Sequence, residues 1–305
     1  MPLDIIALGE PLYELNQQPD GRWLGGFGGD TSNVAIAAAR LGARVAFVSR
    51  LGDDLFGAGL AGLWRDEGVD ASAVALDGDA PTGLYFVTHD ADGHHFTYRR
   101  AGSAASLMTP ADVPQALLAG ARFLHISGIS QAISGSAAAT VRHAIARAHE
   151  LGVKLSFDTN YRPRLWSPTA ARPEIEHAAA HAHILKTSVD DCGALFGITE
   201  PQAIAKRFLD LGSEIVLVTM GAAGVHMATA DGAATVSGIP VAAVDATGAG
   251  DAFTGALLAE LSRGTELAAA VRFANAAAAL STLGYGAIAP LPRYSDVEIF
   301  LKEQP

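Results

Sequence analysis

The stretch VAAVDATGAGDAFTGALLAEL (241–261) decides how the rest of the chain is read. Its apolar start, 241–244, has the character of a short strand. Gly248, Ala249 and Gly250 then open a helix on which Phe253, Leu257 and Leu261 recur at helical spacing. A glycine-rich turn before a helix exposes several backbone N–H groups, and with the positive end of the helix dipole they cradle an anion. Asp251 falls in the first turn of that helix. A carboxylate beside an anion hole fits a general base that takes a proton from a hydroxyl while the amides hold a transferring phosphoryl group. An ordinary N-cap acid is the competing reading of the same residues.

Outward from this stretch, apolar runs of strand length alternate with helical patterns. Residues 5–8, 45–49, 123–127, 155–158, 184–186 and 215–219 read as buried strands. Helices end at Gly42, Gly152, Gly212, Gly264 and Gly284, and Thr199, Pro201 and Gln202 form a capping-box pattern at the start of one of them. The alternation predicts an α/β fold: a doubly wound, mostly parallel sheet with helices on both faces. Ligands of such sheets bind at the carboxyl ends of the strands. Two segments break the pattern. Residues 12–27 and 84–100 look like antiparallel hairpins, the second turning at Asp90-Ala91-Asp92-Gly93. They read as a small β lid on one domain spanning 1–305, with extension of the main sheet's edge as the alternative.

Composition narrows the function. The chain has 305 residues, half of them hydrophobic, and a formal net charge of −11, so nucleic acid is not an expected partner. Any anionic substrate requires cations concentrated in one pocket. The single cysteine, Cys192, reads as a packed thiol, and no metal-ligand set is assigned. The start MPLDIIALGE lacks a signal peptide's basic and apolar regions, and no apolar run reaches membrane-spanning length, so a cytoplasmic protein is expected. There is no Walker A loop, and the glycines at 248 and 250 lack the third glycine of a dinucleotide fingerprint.

GGDTSNVAIAAARLG (28–42), RLGDDLFG (50–57) and DATGAGDAF (245–253) together resemble the signatures of the ribokinase-like, or PfkB, carbohydrate kinases. Within that family, YRRAGSAAS (98–106), HISGISQAIS (125–134) and FDTNYRPRLW (157–166) resemble the branch acting on 2-keto-3-deoxygluconate. The residues support that branch, because a keto acid needs a cation and arginine binds carboxylates in a bidentate fork. Tyr161 and Arg162 should emerge at the ligand edge after the strand 155–158.

The resemblance implies roles. Asp251 is the base, and Gly248, Ala249 and Gly250 supply backbone donors. Gly28, Gly29, Asp30 and Asn33 bind the sugar, while Tyr85, Tyr98, Arg100 and Arg162 contact the keto-acid end. Ser188, Thr219, Gly221, Gly224 and Asn275 lie on the nucleotide side. ATP and Mg²⁺ are implied, the metal held mostly by phosphates and water, because Ser188 and Asp191 stand where many members carry Asn and Glu. The acceptor is then a sugar acid, with a neutral sugar, as in a fructokinase or ribokinase, and a non-catalytic sugar-binding regulator as alternatives. A homo-oligomer formed through the lid is expected.

Overall fold

The computed structural model describes residues 3–90 and 93–303. Nine strands form the main sheet, in the spatial order Gly232–Ser237, Gly224–Thr229, Ile215–Thr219, Ile184–Ser188, Lys154–Asp158, Ala121–Ser127, Leu3–Leu8, Val45–Gly52 and Asp70–Asp77. All pair in parallel except the first two, which add an antiparallel hairpin to one edge. The apolar runs follow from burial on both faces. Ile5, Ala7, Val45 and Phe47 point into one core, and Ile6, Leu8, Ala46 and Val48 into the other.

The first core is covered by the helices Asp30–Arg40, Leu55–Asp66, Ala249–Arg263, Leu267–Ser281 and Tyr294–Glu303. The second lies under Gly135–Leu151, Pro168–Ala179, Val189–Phe196 and Pro201–Leu211. Gly152 and Gly264 stop their helices in the left-handed conformation expected of glycine after a last turn, with φ of 68° and 87°. Among the described residues no helix is long and apolar enough to cross a membrane.

The second sheet is separate. Its order is Trp23–Gly28, Leu12–Gln17, Leu84–Asp90 and Gly93–Arg99. Both hairpins are antiparallel, as read from the two segments that break the strand–helix alternation, and they join through parallel pairing of Tyr13–Asn16 with Leu84–Val87. They therefore do not extend the main sheet. Ala91 and Asp92, half of the expected turn, lie outside the described residues.

Three local expectations are corrected. Residues 241–244 form no strand; Val244 N–H and Asp245 N–H donate to Thr282 O at 2.7 and 3.1 Å, so the run is tied to the end of a helix and not to the sheet. The capping box at Thr199 does not form. The helix starts at Pro201 with Glu200 as its N-cap and no side-chain cap bond. Proline at the first position lacks the N–H that a cap would satisfy and presets φ. Tyr161 does not emerge at the ligand edge: it is 3% exposed, packed in the second core, with its hydroxyl donating to Trp166 O at 3.2 Å.

The helices Asp30–Arg40 and Ala249–Arg263 meet at Gly255, where an added Cβ would lie 2.6 Å from Ala37 Cβ and 2.8 Å from Val34 O. Gly255→Val should therefore cost about 1–3 kcal/mol of stability, read by chemical denaturation. An unchanged midpoint would mean that these helices do not need so close an approach.

Candidate functional site

The carboxyl ends of the parallel strands open into a cavity of about 800 Å³. Glu10 enters just beyond Leu3–Leu8, Asp158 ends Lys154–Asp158, and Lys186 lies near the end of Ile184–Ser188. Leu12, Tyr85, Phe96 and Tyr98 of the small sheet form another wall.

Asp251 sits in this cavity in the first turn of Ala249–Arg263. Gly248, the N-cap, is left-handed at φ 77° and no side chain caps the turn, which leaves its amides to another acceptor. A Cβ there would lie 3.0 Å from Ala287, so glycine is needed for both reasons. Asn33 Nδ2 donates to Asp251 Oδ2 at 2.8 Å. Burial pushes the Asp251 carboxyl up to about 7, the nearby Asp30 and Asp158 add to the rise, and Asn33 and Lys186 pull against it. A base poised near neutrality suits proton abstraction from a hydroxyl. Asp251 is thus more than a helix cap: it is a buried acid whose partner, Asn33, comes from the other glycine-flanked helix start.

Gly29 is the N-cap of Asp30–Arg40, with φ 105°; a Cβ there would lie 2.3 Å from Glu10 O. Gly28 leaves room for the Tyr85 ring, whose hydroxyl would lie 2.5 Å from a Cβ. Asp30 Oδ2 accepts from Asn160 Nδ2 at 2.9 Å. Asn160 has a positive φ of 33°, a conformation that asparagine tolerates, and its N–H donates to Asp158 Oδ1 at 3.1 Å.

The aromatic and cationic wall stands as follows. Tyr85 donates its hydroxyl to Glu14 and stacks on Tyr98, ring centroids 5.8 Å apart. The Arg100 guanidinium carbon lies 4.5 Å over the Tyr98 ring, and its Nη2 is 2.6 Å from Glu10 Oε2. Arg162 and Arg164 also line the cavity. Arg162 donates to Tyr161 O at 3.0 Å and Arg164 to Phe96 O at 3.1 Å, and neither has an ion-pair partner among the described residues. Arg99 is not among the lining residues.

Lys186, Asp158, Asn160 and Glu10 were given no role from the sequence, although Asp158 and Asn160 lie in the stretch 157–166. The signal was a lysine and an aspartate inside or at the end of apolar strands, where a charge must have a reason. Lys186 is 7% exposed and its Nζ lies 2.5 Å from Asp158 Oδ2. Burial alone would lower its ammonium; Asp158, Asp251 and Asp191 outweigh that and raise it. A Cβ on Gly250 would lie 3.2 Å from Lys186 Nζ, so the ammonium sits directly against the glycine turn.

Of the residues expected on the nucleotide side, none lines this cavity. Ser188 caps Val189–Phe196 by accepting from Asp191 N–H at 3.0 Å. Thr219 donates to Thr187 O at 3.1 Å, at the end of its strand. Gly221 and Gly224 have φ of 59° and 102° and turn the chain into the edge hairpin. Asn275 Nδ2 donates to Ser237 O at 3.2 Å, joining a helix to that hairpin. Asp191 accepts from Thr159 Oγ1 at 2.8 Å and Tyr161 N–H at 3.2 Å. His125 is a core histidine, as read from its strand, with Nδ1 3.1 Å from Ser156 Oγ.

Comparison with known proteins agrees with this geometry. The family model described as "pfkB family carbohydrate kinase" matches residues 4–293. The chain is 35% identical to the 2-dehydro-3-deoxygluconokinase of Thermoproteus tenax, over 98% of this chain and 94% of that one. It is 37% identical to fructokinase-2 of Solanum habrochaites, over 98% and 96%. Among solved structures, the fructokinase with bound ATP from Xylella fastidiosa superposes with a TM-score of 0.91 at 28% identity, covering 98% of each chain. The ribokinase-like α/β fold is thereby established.

Two outcomes follow from the charges. Because the folded Asp251 carboxyl sits near 7 and its unfolded value near 3.8, ionising it costs stability as pH rises between those values. Asp251→Asn should therefore raise Tm by about 2–4 °C above pH 7, with the gain vanishing toward pH 4; a gain independent of pH would refute the raised value. Lys186→Met strands the Asp158 carboxylate and should cost about 3–5 kcal/mol in denaturant unfolding, whereas a loss below 1 kcal/mol would show a solvated pair.

Proposed function

The chain belongs to the pfkB family of carbohydrate kinases, and from that premise we propose that it transfers the γ-phosphoryl group of ATP to the 6-hydroxyl of 2-keto-3-deoxygluconate. One observation carries the choice of a sugar acid: Arg100, Arg162 and Arg164 line the same cavity as Asp251 in a protein of net charge −11. A neutral sugar gives no reason to gather guanidinium groups there, and a carboxylate does. The likeness to the Thermoproteus tenax 2-dehydro-3-deoxygluconokinase supports the same choice.

In this reading Asp251 accepts the hydroxyl proton, and its carboxylate is kept in place by the Asn33 amide. The uncapped amides of the Gly248–Gly250 turn, with Lys186 behind them, face the charge that spreads over the phosphoryl oxygens. Arg162 and Arg100 hold the keto-acid end against Tyr85 and Tyr98. ATP spans from the turn toward Ser188, Thr219, Gly221, Gly224 and Asn275. No cluster of three or more His, Cys, Asp or Glu able to hold a metal ion exists among the described residues, so these residues offer no cage of their own for Mg²⁺. An ion arriving on the nucleotide would be held by phosphates and water, and would supply further neutralisation of phosphate charge.

The small sheet, 12–27 and 84–100, acts as a lid on a single domain and excludes water that would compete as phosphoryl acceptor. Trp23 and Leu24 on its edge strand are 43% and 61% exposed, which supports its pairing between subunits in a homo-oligomer. A cytoplasmic location fits this chemistry. The competing reading, a neutral hexose as acceptor, is favoured by the 37% identity to a plant fructokinase. A binding protein without catalysis is disfavoured by the buried Asp251.

A coupled ADP-release assay over sugar acids and neutral sugars separates the readings. Turnover is expected with 2-keto-3-deoxygluconate and to fall about 10²–10⁴-fold in Asp251→Asn. Arg162→Ala is expected to raise KM for the acid and leave fructose untouched. Equal turnover of fructose, unaffected by Arg162→Ala, would overturn the sugar-acid reading.

A further inference from the structure

Glu10 has no part in the steps above, yet it occupies the acceptor end of the cavity. Its residue is 1% exposed and its Oε2 lies 2.6 Å from Arg100 Nη2. Beyond that ion contact, neither Glu10 oxygen has a hydrogen-bond partner among the described residues. Arg100 is only partly engaged as well. Its side chain is 11% exposed, its face rests on Tyr98, and its buried Nε has no hydrogen-bond partner among the described residues. A guanidinium with one edge on an internal carboxylate and an unpartnered buried N–H is built to receive a second carboxylate.

A second carboxylate arriving on the same buried guanidinium disfavours the ionised form of Glu10, because like charges in contact oppose the second ionisation. We propose that Glu10 is the resident counter-ion of Arg100, that a sugar acid binds by taking over its place on the guanidinium, and that Glu10 then takes up a proton from solvent. The inference rests on the sugar-acid reading and deepens it. Binding of the acid is linked to proton uptake, whereas binding of a neutral sugar is not. Glu10 would thus select for the charge of the acceptor.

The electrostatics of the free protein agree. Burial pushes Glu10 up to about 7; Arg100 pulls it down and Asp30, on the facing helix, pushes it up. The sign follows directly. Below about pH 7 Glu10 is already neutral, and the acid binds without recruiting a proton. Above it, each bound acid must bring one, so Kd rises toward tenfold per pH unit. Asp251 titrates in the same range and shares Asp30 as a neighbour, so its contribution must be separated.

Isothermal titration of the full chain with 2-keto-3-deoxygluconate and with fructose, at about pH 6.5 and about pH 8.5 in buffers of different ionisation enthalpy, reads both Kd and the protons taken up. For the acid, Kd is expected to weaken at least about tenfold across that interval, with uptake approaching one proton at the higher pH. Both effects should persist in Asp251→Asn and Asp30→Asn and vanish in Glu10→Gln. Persistence in the first two excludes Asp251 and Asp30 and leaves Glu10 as the acid in contact with Arg100, even if Glu10→Gln fails to fold. Tight binding of the acid with a flat Kd and no uptake would overturn the Glu10 proposal and leave the sugar-acid reading standing. Uptake lost in Asp251→Asn but kept in Glu10→Gln would assign the proton to Asp251 and overturn it too. Binding of fructose without binding of the acid would remove the sugar-acid reading and this inference with it.

Discussion

The hydrogen bond from Asn33 to Asp251 is the contact on which the site depends. It joins the first turns of two helices 218 positions apart in sequence. For it to form, the helices Asp30–Arg40 and Ala249–Arg263 must touch, and they do so at Gly255, Ala37 and Ala38. Small residues at that seam are therefore a functional requirement expressed as packing. The same approach brings Asp30 near Asp251, and the like charge joins desolvation in raising the Asp251 carboxyl. A looser seam would let water in and return the acid to its ordinary range, where it would be a weaker base.

A buried acid of this kind is tolerable only with compensation nearby. Lys186 provides it, held by an ion pair to Asp158 at the end of the adjacent strand. The ion pair would be a poor device for stability alone, because two charges lose their hydration. Its place against Gly250 gives it another use: a fixed cation beside the uncapped turn, where an anion would be stabilised. Parallel pairing of Lys154–Asp158 with Ile184–Ser188 sets the register, Lys186 opposite Asp158, so the sheet itself positions the charge.

What was legible in the sequence follows from how local each signal is. The parallel strands declared themselves because burial on both faces leaves continuous apolar runs such as 5–8 and 215–219. Glycines 152 and 264 marked helix ends for a backbone reason that needs no partner. Gly248–Asp251 and Gly28–Asn33 were visible as glycine-flanked polar residues, and the cavity brings both together. The rest was not local. Lys186 looked like the tail of a strand because its reason, Asp158, lies on a neighbouring strand. Glu10 lay just past the first strand and was read only as sequence next to it. Tyr161 beside Arg162 looked like a pair at the ligand edge, yet the strand ends at Asp158 and the chain turns at Asn160, with φ 33°, and the core claimed the ring. The run 241–244 had strand composition but pairs with no strand, and the N–H groups of Val244 and the following Asp245 donate to Thr282 O instead.

The cavity gathers charges of both signs, and they bear on what can enter it. Asp251 and Asp30 line it together with Arg100, Arg162 and Arg164, and with the rings of Tyr85 and Tyr98. For the proposed sugar acid, the guanidinium groups would attract the carboxylate and the two acids repel it, a discrimination between orientations that hydroxyl contacts alone give only weakly. Because Arg100 already has Glu10 as a partner, the free protein does not expose an uncompensated buried cation, and the pocket is stable before its ligand arrives. The arrangement separates two demands that otherwise conflict: a cation strong enough to orient an acid, and an interior that remains neutral while it waits.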